Sequence, residues 1–143
     1  MTAIVLTTDL SDESMRAFGE ARELADKLGL PILLLGVVSD LPFEPVAGGL
    51  AASYPDREQV VADWREELSE RAAALGSNVS VHVVEGADVP LAICRFASEK
   101  NARLLVMATH GRSGLRRLLI GSVAEAVLRK SSVPVLAVPP PMQ

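Results

Sequence analysis

Residues 31–38 read P-I-L-L-L-G-V-V, a run with no charged or hydrogen-bonding side chain. Eight residues are too few to hide all round inside a helical bundle. Continuous apolar character, in place of strict alternation, is what a strand covered on both faces requires. Such a strand sits inside a parallel sheet with helices packed above and below. The rest of the chain must then supply neighbouring strands and the helices that cross between them.

It does so in order. Ala3 to Thr7 is a second buried run rich in β-branched residues. Ser11 is placed to cap a helix whose apolar face is Met15, Phe18, Ala21, Ala25 and Leu28, and Gly29 fits the position just past its end. After the 31–38 strand, residues 40–55 carry three prolines and two glycines and read as a long connection, a lid or a partner surface. Helical spacing returns from Arg57 to Leu75 through Val61, Trp64, Leu68 and Ala72. Val79 to Val84 alternates and reads as a half-exposed edge strand, with His82 facing solvent. Asp88 caps a third helix over 89–100, with Pro90 in its first turn. Arg103 to Ala108 is a fourth strand, Ser122 to Lys130 a fourth helix and Val133 to Val138 a fifth strand.

Five strands alternating with four helices give an α/β fold, an open five-stranded parallel sheet of Rossmann-like type with helices on both faces. We expect a single domain over residues 1–143. Hydrophobic residues make up 49% and aromatics 3%, so the core must be aliphatic. Ligands in such sheets bind at the carboxyl ends of strands where the order reverses. The loops richest in polar and glycine residues follow the first and fourth strands. If both serve one site those strands are neighbours, which predicts the order 3-2-1-4-5.

The loop after the fourth strand is the informative one. It reads M-A-T-H-G-R-S-G-L-R-R-L-L-I-G-S from Met107 to Ser122. Glycines let backbone approach a ligand, a helix start presents free N–H groups, and Arg112, Arg116 and Arg117 lie between: the elements of a phosphate site. Gly111, Gly121 and Ser122 are the expected amide donors. Ser122 and Glu125 also have capping-box spacing, so Ser122 reads equally as a helix cap. Asp9, at the end of the first strand, could take a ribose hydroxyl or a phosphate-bound metal, or simply shape a turn. His110 reads as a polar loop residue, with a base or metal ligand as the alternative. There is no Walker A pattern, no G-x-G-x-x-G after the first strand and no Cys/His metal cluster. Cys94 is the one cysteine and reads as core.

The formal net charge of -4 argues against a general nucleic-acid or anionic-membrane binder. No apolar run is long enough to span a membrane, and the N-terminus lacks the pattern of a secretory leader, so a cytoplasmic protein is expected.

The opening A-I-V-L-T-T-D-L-S-D-E-S and the closing stretch from Leu104 to Val138 resemble the universal stress protein family over nearly the whole chain. Its nucleotide-binding branch carries G-x-x-G, nine residues, then G-[ST]. Gly111, Gly121 and Ser122 match, while Ala108 stands for the first glycine. Arg103 replaces an aspartate common in the family. The resemblance implies ATP or a related adenine nucleotide, with magnesium. Thr8, Asp9 and Val37 would lie near adenine and ribose, and Ala108, Gly111, Arg112, Gly121 and Ser122 around the phosphates. It also implies a homodimer through Val133 to Val138 and a stress-response sensor or switch, with at most weak ATP hydrolysis because no water-positioning base is evident. The alternative is a dimeric interaction module of the same fold without nucleotide, and Ala108 is the feature that admits it.

Overall fold

The structure is a computed structural model and describes residues 2–39, 56–110 and 120–141. The connection over 40–55, with its expected lid or partner role, lies outside the described residues.

Its strands are β1 (Ile4–Thr7), β2 (Ile32–Ser39), β3 (Val79–Gly86), β4 (Leu104–Ala108) and β5 (Val135–Val138). They form one parallel sheet in the order β3-β2-β1-β4-β5, the order predicted. The helices are α1 (Arg16–Leu28), α2 (Arg57–Leu75), α3 (Val89–Glu99) and α4 (Ser122–Lys130).

Alternation along the strands divides the core in two. Ile4, Leu6, Ile32, Leu34, Val106 and Ala108 pack under Ala17, Phe18, Ala21 and Ala25 of α1 and Leu68 and Ala72 of α2. Val5, Leu35, Val37, Leu105 and Met107 pack under Ile93, Cys94, Phe96 and Ala97 of α3 and Ala124 and Val127 of α4. Small residues on α1 let that helix lie close to the sheet. Gly36 does the same for α2: a Cβ there would stand 2.8 Å from the Trp64 ring. The only tryptophan of the chain therefore rests where the strand has no side chain.

The ends of the elements follow the sequence in part. Gly29 takes a left-handed φ of 67°, and Leu30 N–H closes onto Ala25 O at 3.0 Å, as a glycine C-terminus should. Asp88 accepts from Leu91 N–H at 3.1 Å. At α1, Ser11 Oγ does accept from Ser14 N–H, but the first turn is a short 3-10 segment, Glu13–Met15, before the α-helix begins. β5 begins at Val135, not Val133. Ser131 Oγ donates to Val133 O at 2.7 Å and accepts from Val133 N–H at 3.1 Å, and this local turn holds the residue outside the ladder.

β3 is the edge strand expected, but His82 is not simply solvent-facing. Its ring is half-buried against Phe96 of α3, centroids 5.2 Å apart, and Nε2 pairs with Ser80 Oγ at 2.8 Å. Burial pushes its pKa down, and the positive charges of Lys100 and Arg65 push the same way. A folded pKa below the unfolded value of about 6.5 means that this contribution to stability is present above that pH and lost as pH falls through the folded pKa. Urea midpoints measured from pH 7 down to pH 5 should therefore fall less steeply for His82→Gln than for the wild type. Equal slopes would remove His82 as a source of acid sensitivity.

Candidate functional site

Because β1 lies between β2 and β4, the residues leaving β1 and β4 emerge side by side at the carboxyl edge of the sheet. Between them and the starts of α3 and α4 is a cavity of about 240 Å³. Thr8, Asp9, Val37, Ala108, Gly121 and Ser122, all named from the sequence, line it together. Gly111 and Arg112 lie outside the described residues, as do Arg116 and Arg117.

One wall is apolar: Val37 from β2, Val89 and Ile93 from α3, and Met107 from β4. The opposite wall is a web of hydroxyls. Leu10 N–H donates to Thr8 Oγ1 at 3.0 Å, and Ser14 Oγ donates to Ser11 O at 2.7 Å. With those two bonds fixed, the 2.6 Å contact between Thr8 Oγ1 and Ser14 Oγ runs from threonine to serine. Asp9 Oδ1 accepts from Ser11 N–H at 2.9 Å and also from Ser11 Oγ. Asp9 thus forms the turn that one reading gave it, and it also lines the cavity.

The third side is the start of α4. Ser122 does not cap this helix. Gly121 occupies the cap position with extended backbone and no side-chain cap bond, and Glu125 pairs with Arg129 at 2.6 Å instead of reaching back. The capping-box reading is therefore corrected: the helix begins one residue early for it. First-turn N–H groups have no partner within their own helix, and Ser122, Val123 and Ala124 all line the cavity. No side chain of the described residues competes for that end.

Gly121 is needed for packing more than for an unusual backbone angle. Its N–H donates to Thr109 O at 2.7 Å, and a Cβ would stand 2.9 Å from that same oxygen. Ala108, in turn, does not need to be glycine. It is not among the positive-φ residues of the described chain, and its side chain belongs to the α1/α2 side of the core, with Leu6 and Ala17.

The sequence reading missed several lining residues. Ser14 lies three positions after Ser11, a spacing that brings their hydroxyls into one turn. Met107 follows from strand alternation with Leu105. Thr109 and His110 are 7% and 6% exposed, and Thr109 Oγ1 contacts His110 Nδ1 at 2.7 Å. The pair follows β4 at its ligand end, a position that marks it for the site, whereas polar composition alone suggested an ordinary loop. Cys94 is core as expected, and burial raises its pKa above the usual thiol value. Among the described residues no group of three or more His, Cys, Asp or Glu side chains could hold a metal ion.

The comparisons with known proteins can be set against this geometry. The model of the universal stress protein family matches residues 1–139. A universal stress protein of Methanocaldococcus jannaschii is 33% identical over 141 residues, which cover 96% of this chain and 82% of that protein. The structure of a universal stress protein from Archaeoglobus fulgidus superposes with a TM-score of 0.73 at 26% identity, over 96% of this chain and 98% of the other. A crystal structure of a universal stress protein in complex with cAMP superposes with a TM-score of 0.67 at 27% identity, over 96% and 95%.

The Gly121 contact gives a measurable contrast. Gly121→Ala should lower stability by about 1–3 kcal/mol, because the new methyl must displace backbone. Gly19→Ala, where nothing lies within 4 Å, should raise it by about 0.5–1 kcal/mol through helix propensity. Urea denaturation of the two variants checks both signs.

Proposed function

The chain belongs to the universal stress protein family, and we propose that within it this protein binds ATP or a related adenine nucleotide in the cavity at the ends of β1 and β4. The observation that carries this reading is the start of α4, which no side chain of the described residues caps and which lies on the same cavity as Asp9 and the apolar wall. Helix-start amides favour an anion. The apolar side formed by Val37, Val89, Ile93 and Met107 suits a base, and Asp9 and Thr8 in the same lining offer oxygens to a ribose hydroxyl. The cAMP complex of a relative supports an adenine nucleotide as the ligand class. Gly111 and Arg112 are assigned to the phosphates by motif spacing alone.

Magnesium fits only as a companion of the phosphates. The described lining carries one carboxylate, Asp9. An ion that keeps most of its ligands from phosphate and water needs no more than that. We read the protein as a binding protein, a sensor or switch acting in the cytoplasm. No helix of the described residues is long and apolar enough to cross a membrane.

The decisive experiment is isothermal titration with Mg-ATP of the wild type and of Ser122→Asp. A carboxylate in the first turn is favourable to the helix dipole, so the variant should melt no lower than the wild type. The same carboxylate repels phosphate, so affinity should drop at least about tenfold. Absence of heat in the wild type at roughly 100 µM would point instead to the interaction module without nucleotide.

We also infer a homodimer through β5. It is the terminal strand of the sheet, each of its four residues is half-buried, and an edge presents backbone groups to a two-fold partner. Pro139, Pro140 and Pro141 limit further strand pairing. Analytical ultracentrifugation should give twice the 15.2 kDa chain mass. A monomer at roughly 100 µM would remove this part of the reading.

A further inference from the structure

The turn that carries Thr8 and Asp9 is not held by its own strand alone. Leu10, next in sequence, has a φ of 69°, a left-handed conformation that a branched side chain adopts only at a cost. Its N–H is taken by Thr8 Oγ1 at 3.0 Å. Its carbonyl is taken from 61 residues away, by Arg71 Nη2 of α2 at 3.2 Å.

The guanidinium is aimed at that carbonyl. Arg71 Nη1 pairs with Glu67 Oε2 at 2.7 Å, one turn earlier on α2. Arg71 Nε is buried and has no partner. A buried N–H left unbonded is costly, so the two terminal nitrogens fix the group in place against that cost. Leu10, Trp64, Glu67 and Arg71, with Asp63, surround a shallow depression on the far side of the turn from the nucleotide cavity.

We propose that Arg71 is a positioning residue for the nucleotide site: its bond to the Leu10 carbonyl holds the left-handed turn that presents Thr8 and Asp9 to the ligand. Arg71 does not line the cavity and acts through Leu10. The consequence is that α2, on the opposite face of the sheet from α3 and α4, contributes to affinity. The inference rests on the nucleotide reading above for its functional meaning, but its structural step does not.

Arg22 supplies the control. It makes the same kind of bond, Nη1 to Ser77 O at 2.9 Å across 55 residues, also with a buried unpartnered Nε, but next to the start of β3 at the other end of the sheet. Hydrogen exchange of the Leu10 and Ser11 amides and titration with Mg-ATP are measured for the wild type, Arg71→Met and Arg22→Met. Arg71→Met should speed exchange at Leu10 and Ser11 and weaken ATP about fivefold to tenfold, the net scale of one ordinary hydrogen bond. Arg22→Met should match the wild type in both. Unchanged exchange at Leu10 and Ser11 in Arg71→Met would overturn the proposal. So would an equal loss of affinity in Arg22→Met, since general destabilisation would then account for it. If the wild type takes no ATP, the nucleotide reading fails on its own, and the exchange measurement still decides whether Arg71 holds the turn.

Discussion

The parallel pairing of β1 with both β2 and β4 is the constraint on which the rest of the molecule depends. Ile4 pairs with Ile32 on one side and Leu104 on the other. This reversal of strand order is what opens a crevice at the carboxyl edge, because the helices following β1 and β4 leave to opposite faces of the sheet. α1 lies over one face and α4 over the other. Without that divergence the turn after β1 and the start of α4 would not meet, and Asp9 and Gly121 would not line one cavity.

Much of this was legible because the signals were long and mutually consistent. The apolar runs at 3–7, 31–38 and 104–108 could be read without knowing their partners. The strand order followed from asking which two loops must meet. The reading failed where a contact distant in sequence, or a local bond, outweighed pattern. His82 alternates like an outward residue, but α3 returns Phe96 across it. Val133 looks like strand, but Ser131 binds both of its backbone groups. Ser122 and Glu125 have the capping spacing, but Gly121 rather than Ser122 sits at the cap position, since only glycine fits against Thr109 O. Each miss concerns a side chain whose partner cannot be inferred from spacing.

The residue at the first glycine position of the motif illustrates the same point in reverse. From sequence, Ala108 threatened the phosphate approach. In the fold its side chain belongs to the α1/α2 half of the core, whereas Met107, one residue earlier, belongs to the half that carries the apolar wall of the cavity. Strand alternation therefore takes the methyl away from that wall. Ala108 still lines the cavity beside Gly121 and Ser122, so the residue serves the core and the cavity edge together.

That start is tied to the edge strand by a short path. Thr109 N–H donates to Val138 O at 3.0 Å, and Thr109 O accepts from Gly121 N–H at 2.7 Å. A single residue between β4 and the cavity is thus bonded at one end to the last residue of β5 and at the other to the cap of α4. Helix α4 itself is a longer route, running nine residues from the cavity before the chain turns back into β5. Both bonds come from one residue, so a shift of the α4 start must either break the Gly121 bond or move the Thr109 carbonyl with it. Thr109 thus lines the cavity while its backbone bonds both the last residue of β5 and the cap of α4.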